Sequence, residues 1–141
     1  MRYPTHHLLL DQLPPEAITH LLPILQRVTL EAGHILYQTG QPVSAVYFPV
    51  TAQIDEVLPL ASGPDQLLRQ IDARAMAGCC VVGDPIASRT ARVRHAGDAY
   101  RMAYGDFVLA LDAVPAFREA VLQDAARACL VATTAGATSV P

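Results

Sequence analysis

A mainly β domain with flanking helices is the fold this sequence predicts, a β-sandwich or a jelly roll (double-stranded β-helix). Three observations predict it. Short apolar runs recur between Arg27 and Arg101, separated by turn signals at Glu31–Gly33, Gly40–Pro42, Pro49–Ala52, Ser62–Asp65, Gly83–Pro85 and Gly97–Asp98. Closely spaced short strands between such breaks are the pattern of sandwiches and rolls. The block Gly33–Pro42 alternates apolar and polar residues between two glycines, and a second strand, Val46-Tyr47-Phe48-Pro49, follows a proline turn. Helical periodicity is confined to the two ends of the chain.

Residues 1–25 read as an N-terminal helical segment. Within it Leu13–Leu25 carries prolines at Pro14 and Pro15 that suit a first turn, Glu16 at the positive end of the dipole, and a stripe of Ile18, Leu21, Leu22 and Leu25. Pro23 lies inside that stripe and should end or bend the helix early. Residues 26–103 form the roll. In its first hairpin Ile35 and Tyr37 are expected on one face, with Leu36 and Gln38 on the other, while Gly33 and Gly40 supply positive φ. In the strand Ala91–Ala96, Val93 should face the core and Arg92 and Arg94 the opposite side, interleaved with Asp98 and Asp84. Residues 104–131 return to helix: Asp106 to Ala113, a break at Pro115, then Ala116 to about Val131. On that last helix Phe117, Val121, Ala125 and Ala128 share a face, and Leu122, Ala126 and Cys129 form the neighbouring row. Residues 132–141 lack a helical period and read as a flexible tail.

The chain has 141 residues, 52% of them apolar, enough for one domain with a real core. No apolar run approaches a membrane span, and Leu8–Leu10 is too short for a signal peptide, so a cytoplasmic protein is expected. The net charge is −3 and the cationic side chains are all arginine, with only Arg89, Arg92, Arg94 and Arg101 clustered. That is a poor footprint for duplex DNA. Cys79, Cys80 and Cys129 have no CxxC spacing and read as buried reduced thiols rather than a disulfide, zinc or iron–sulfur framework. His6 and His7 read as exposed tail residues, and His20, His34 and His95 are scattered without a ligand spacing, so no metal site is expected. No nucleophile elbow, Walker loop or paired-carboxylate motif appears, so no enzyme is expected.

The motifs Leu8-Leu-Leu-Asp-Gln-Leu-Pro14, Leu21-Leu-Pro-Ile-Leu25, Gly33-x-x-Leu36-Tyr37-x-x-Gly40-x-Pro42, Val46-Tyr47-Phe48-Pro49 and Arg101-Met102 resemble the sensor half of the Crp/Fnr family of bacterial transcription regulators. That family is a branch of the cyclic-nucleotide-binding domains, and the resemblance runs to about Leu130. It implies an eight-stranded β-roll with short flanking helices, a long helix pairing two subunits, and a following helix-turn-helix domain. The ten residues after Val131 are too few for that last part.

Cyclic-nucleotide binders use a Gly-Glu pair, whose Glu accepts from the ribose hydroxyl, followed by an Arg that holds the cyclic phosphate before a Thr/Ser-Ala strand. Here the corresponding stretch, Met76 to Pro85, has no glutamate, whereas Arg89 stands in Ser88-Arg89-Thr90-Ala91. The resemblance therefore implies ligand contacts at Gly78, Arg89, Thr90 and Ala91, with the phosphate half of the site kept and the sugar half missing. A guanidinium fork suits a phosphate oxygen pair; the alternative for Arg89 is a solvated arginine capping a strand. Phe117, Val121, Leu122, Ala125 and Ala128 are expected either to pair two copies of the chain or to pack on its own domain. The function expected is a regulatory sensor module without its own DNA-binding part, taking a small anionic effector; no cofactor is expected, with a cyclic nucleotide as the alternative. A dimerisation or protein-interaction scaffold, or a truncated, decayed copy of a full regulator, are the alternatives.

Overall fold

The computed structural model describes residues 7–78 and 85–139, with side chains described to Arg127. The described residues begin with two short helices, α1 (Leu8–Asp11) and α2 (Pro15–Leu21), followed by a 3₁₀ turn, Leu22–Ile24. The sequence predicts one helix from Leu13 to Leu25. Pro15 starts α2 and Pro23 stops it, since a proline cannot donate to the helical ladder. Ile18 and Leu21 are buried as expected, while Leu22 faces solvent because the 3₁₀ turn rotates it off the stripe.

Among the described residues seven strands follow: β1 (Gln26–Leu30), β2 (Ile35–Tyr37), β3 (Ala45–Pro49), β4 (Gln53–Leu58), β5 (Gln66–Ile71), β6 (Thr90–His95) and β7 (Gly97–Ala103). They form two antiparallel sheets, ordered β1-β7-β3 and β2-β6-β4-β5. Isolated pairings of Tyr47 with Ala77 and of Pro42 with Ile86 extend the edges. Gly33 and Gly40 adopt φ of 86° and 83°, the left-handed turns expected of them. The expected alternation of Ile35 with Tyr37 fails. A bulge between them opposes the pair to the single step Arg92–Ala91 of β6, so Tyr37 is buried and Ile35 is turned out.

Every residue of β3 is buried, and its alternation explains the layering. Ala45 and Tyr47 face the other sheet, joining Ile54, Ile71, Ala91, Val93 and Ala99 in the sandwich core. Val46 and Phe48 face the opposite way, into a second core roofed by α1, α2, α3 (Tyr104–Ala113) and α4 (Pro115–Ser139). A sheet apolar on both faces needs covering on both. Leu10, Leu21, Phe107, Phe117 and Val121 supply that cover. Helix α4 extends past Val131, where the apolar pattern of the sequence stops. Among the described residues no helix is long and apolar enough to cross a membrane.

Candidate functional site

The candidate residues are held by strands β2, β4 and β6. Glu56 on β4 pairs in register with Ala91 of β6 on one side and Arg69 of β5 on the other. It lies two residues from Ile54, on the same inward face. Arg89 immediately precedes β6 and shares the inward parity of Ala91 and Val93. Both charged side chains are buried: 4% of Arg89 and 3% of Glu56 is exposed. Arg89 Nη1 donates to Glu56 Oε1 at 3.2 Å, and the Tyr37 hydroxyl donates to Glu56 Oε2 at 2.8 Å.

Burial raises the Glu56 carboxyl above its ordinary range, although Arg89, Arg69 and the Tyr37 hydrogen bond all pull the other way. The Tyr37 phenol is pushed well up, first by burial and then by the charge of Glu56. A buried, solvent-excluded ion pair therefore replaces the solvated, strand-capping arginine that is one of the two sequence-based expectations. Thr90 and Ala91 are buried too; Thr90 Oγ1 accepts from the backbone N–H of Thr39 and pairs with its hydroxyl, both at 3.0 Å.

Gly78 lies on the other sheet. Its neighbour Ala77 exchanges two 2.8 Å hydrogen bonds with Tyr47 of β3. Gly78 takes φ of +133°, and a Cβ there would stand 2.6 Å from Val46 Cγ1, so this backbone passes too close to β3 for any other residue. The expected site thus divides: Arg89, Thr90 and Ala91 open one sheet, while Gly78 leaves the edge of the other. Cys79, Cys80 and Asp84, with the cassette turn between Gly78 and Pro85, lie outside the described residues.

The segment entering that turn is gripped from both ends of the chain. His7 is fully buried rather than an exposed tail residue, against the sequence-based expectation. Its Nε2–H donates to the Ala75 carbonyl at 2.6 Å and its ring meets Phe48 edge-on at 5.4 Å. Burial lowers its pKa, opposed by the Ala75 carbonyl and by Asp124, Asp11 and Asp72. Leu8 N–H donates to the Ala73 carbonyl at 2.7 Å. From α4, Asp124 accepts Arg69 Nη2 at 2.6 Å and the Met76 N–H at 3.5 Å. Asp124 is 1% exposed and Arg69 10%. One carboxylate thus joins the C-terminal helix, the roll strand β5 and the approach to the cassette turn.

The α4 residues expected to pair two copies are mostly used internally. Phe117, Val121 and Ala125 are buried in the chain's own fold, because β3 and α3 need that face. Leu122 is exposed, beside Arg118, Glu119 and Ala126 on the outer face, and the Ala128 and Cys129 side chains lie outside the described residues. On the outer face of β6, Arg94 pairs with Asp55 at 3.0 Å and Arg92 with Asp65 at 3.8 Å. The expected partner Asp98 is instead taken by Arg27 and Thr29 of β1, because β7 pairs with β1 in the other sheet.

Two antiparallel sheets closed into a roll, with a helical lid and a C-terminal helix, are the fold of the cyclic-nucleotide-binding domains and of the sensor halves of Crp/Fnr regulators. Among solved structures, the N-terminal domain of a transcriptional regulator from Streptomyces coelicolor A3(2) matches with a TM-score of 0.65 at 22% identity, over 94% of this chain and 92% of that one. The catabolite activator protein of Thermus thermophilus matches with a TM-score of 0.72 at 16% identity, over 89% of this chain and 60% of that one. A cyclic nucleotide-binding domain from Methylobacillus flagellatus KT matches with a TM-score of 0.68 at 13% identity, over 91% and 72%. The chain therefore spans about three fifths of the length of the Thermus regulator. No protein-family model matches the chain, and no curated protein matches it significantly.

Proposed function

We propose that this chain is a non-enzymatic regulatory sensor module, in which the state of the roll interior is passed to α4 and a small phosphate-bearing anion is recognised at Arg89. The observation that carries the reading is Asp124, a buried carboxylate on α4 bound both to roll strand β5 and to the backbone entering the cassette turn. A change in the roll or the turn alters what holds this carboxylate, and a helix whose anchor changes shifts its population between docked and released arrangements. For the effector, Arg89 supplies a planar cationic fork at the head of β6, and a glutamate for a ribose hydroxyl is missing from the sequence Met76–Pro85. Cyclic nucleotide, the ligand class in the name of the Methylobacillus neighbour, is the first anion to try.

Amide hydrogen exchange on Asp124→Asn tests the reading. Exchange should quicken together in α4 and in residues 72–78; faster exchange confined to α4 contradicts it. Pairing of two copies through α4 would use the Leu122 face and not the buried Phe117 face. Light scattering of Leu122→Glu against the parent chain reads that outcome.

A further inference from the structure

Two ion pairs stand side by side across β4 and β5: Arg89 with Glu56 inside the roll, and Arg69, the register partner of Glu56, with Asp124 of α4. Glu56 is the member that folding explains least. It occupies a strand position flanked by Ala91 and Arg69, where an apolar residue would fill the space without a buried charge. Its carboxylate gives Arg89 an anionic acceptor oxygen at 3.2 Å, the kind of partner a phosphate oxygen would be. Tyr37 holds the second oxygen in place.

We infer that Glu56 is a built-in counter-anion that occupies Arg89 in the resting chain, so that a phosphate-bearing effector binds there only by displacing it. This rests on the reading of Arg89 as the effector's anion site. An effector added beside an undisplaced Glu56 would place a third negative charge among two buried cations, which the low dielectric forbids. A displaced Glu56 must find another cation, and its register partner is Arg69, now held by Asp124 of α4. Binding at Arg89 thereby draws Arg69 away from the helix, so the occupant of the site is also the element that reports on it.

Calorimetric and thermal-shift titrations with inorganic phosphate and with cyclic AMP, at constant ionic strength, test the inference on the whole chain. Glu56→Gln, which removes the competing charge and keeps the shape, should bind at least about tenfold more tightly than the parent. Tyr37→Phe, which loosens Glu56 but leaves it charged, should gain about threefold. Adding Arg89→Gln to Glu56→Gln should abolish the gain. Equal binding by parent and Glu56→Gln, lost in both on Arg89→Gln, overturns the displacement and leaves Arg89 as an anion site. No binding by any variant at millimolar anion overturns both readings. A gain that survives Arg89→Gln places the anion elsewhere and overturns the inference. If Glu56→Gln does not fold, Tyr37→Phe decides: no gain there overturns it.

Discussion

Arginines in β6 and at its entry sit on opposite faces under opposite conditions. On the outside, Arg92 and Arg94, 43% and 33% exposed, reach Asp65 and Asp55. On the inside, Arg89 meets Glu56 with both groups almost fully desolvated. The chemistry of the pairs is the same, and only the solvent differs. In water an ion pair competes with hydration and salt and contributes little. Inside, the attraction is stronger, yet each charge has lost its hydration, so the pair is nearly neutral in net terms while loss of one member is severe. A fold that needed stability alone would place apolar residues at 56 and 89. Keeping charges there gives the interior something that an anion can disturb.

Substitutions can break this contrast, and the inner face should respond most. Arg89→Met strands the Glu56 carboxylate and should cost about 3–5 kcal/mol in urea unfolding. Pairing it with Glu56→Leu should recover most of that loss; a double variant as weak as the single one would show that packing, not charge, matters at these positions. Asp124→Ala leaves Arg69 unpaired and frees the Met76 N–H, for an expected cost of about 3 kcal/mol in the same assay. Tyr37→Phe removes one hydrogen bond to a charged acceptor, about 1.5 kcal/mol.

His7 gives a pH signature. Its folded-state pKa is lowered from 6.5 by burial, so the unfolded chain takes up a proton first as pH falls. Its contribution is intact above that ordinary value and is lost as pH falls through the lowered one. The melting temperature of the parent should therefore drop between about pH 7.5 and 5.5 more than that of His7→Gln. Parallel profiles would contradict the buried placement. Arg92→Ala and Arg94→Ala should each move stability by less than about 0.5 kcal/mol; a larger loss would erase the contrast between the faces.

Much of the fold was legible in the sequence because its signals are local. Turn residues between short apolar runs marked the roll, Pro23 stopped α2, and the alternation that turned Val93 inward is in the strand itself. Extending that alternation back by two residues puts Arg89 on the face of Val93, so its burial was readable. Glu56 was readable as well, since it shares a face with Ile54 in Gln53–Leu58. What no local pattern carries is the partnership, because Glu56 and Arg89 are 33 residues apart and Tyr37 and Glu56 are 19 apart. The burial of His7 depends on Ala75, 68 residues away. The inward role of Phe117 and Val121 follows from β3 being apolar on both faces, which only the closed roll reveals. The bulge at Ile35–Tyr37 likewise shows only in its pairing with β6.

The claim on which the rest depends is that the roll interior and α4 share one charge network. A double-mutant cycle between Glu56→Gln and Asp124→Asn, read by urea unfolding, tests it most directly. A coupling of about 0.5 kcal/mol or more is expected for groups in one network. Strict additivity would mean that Arg69 does not link them, and that the helix does not sense the roll.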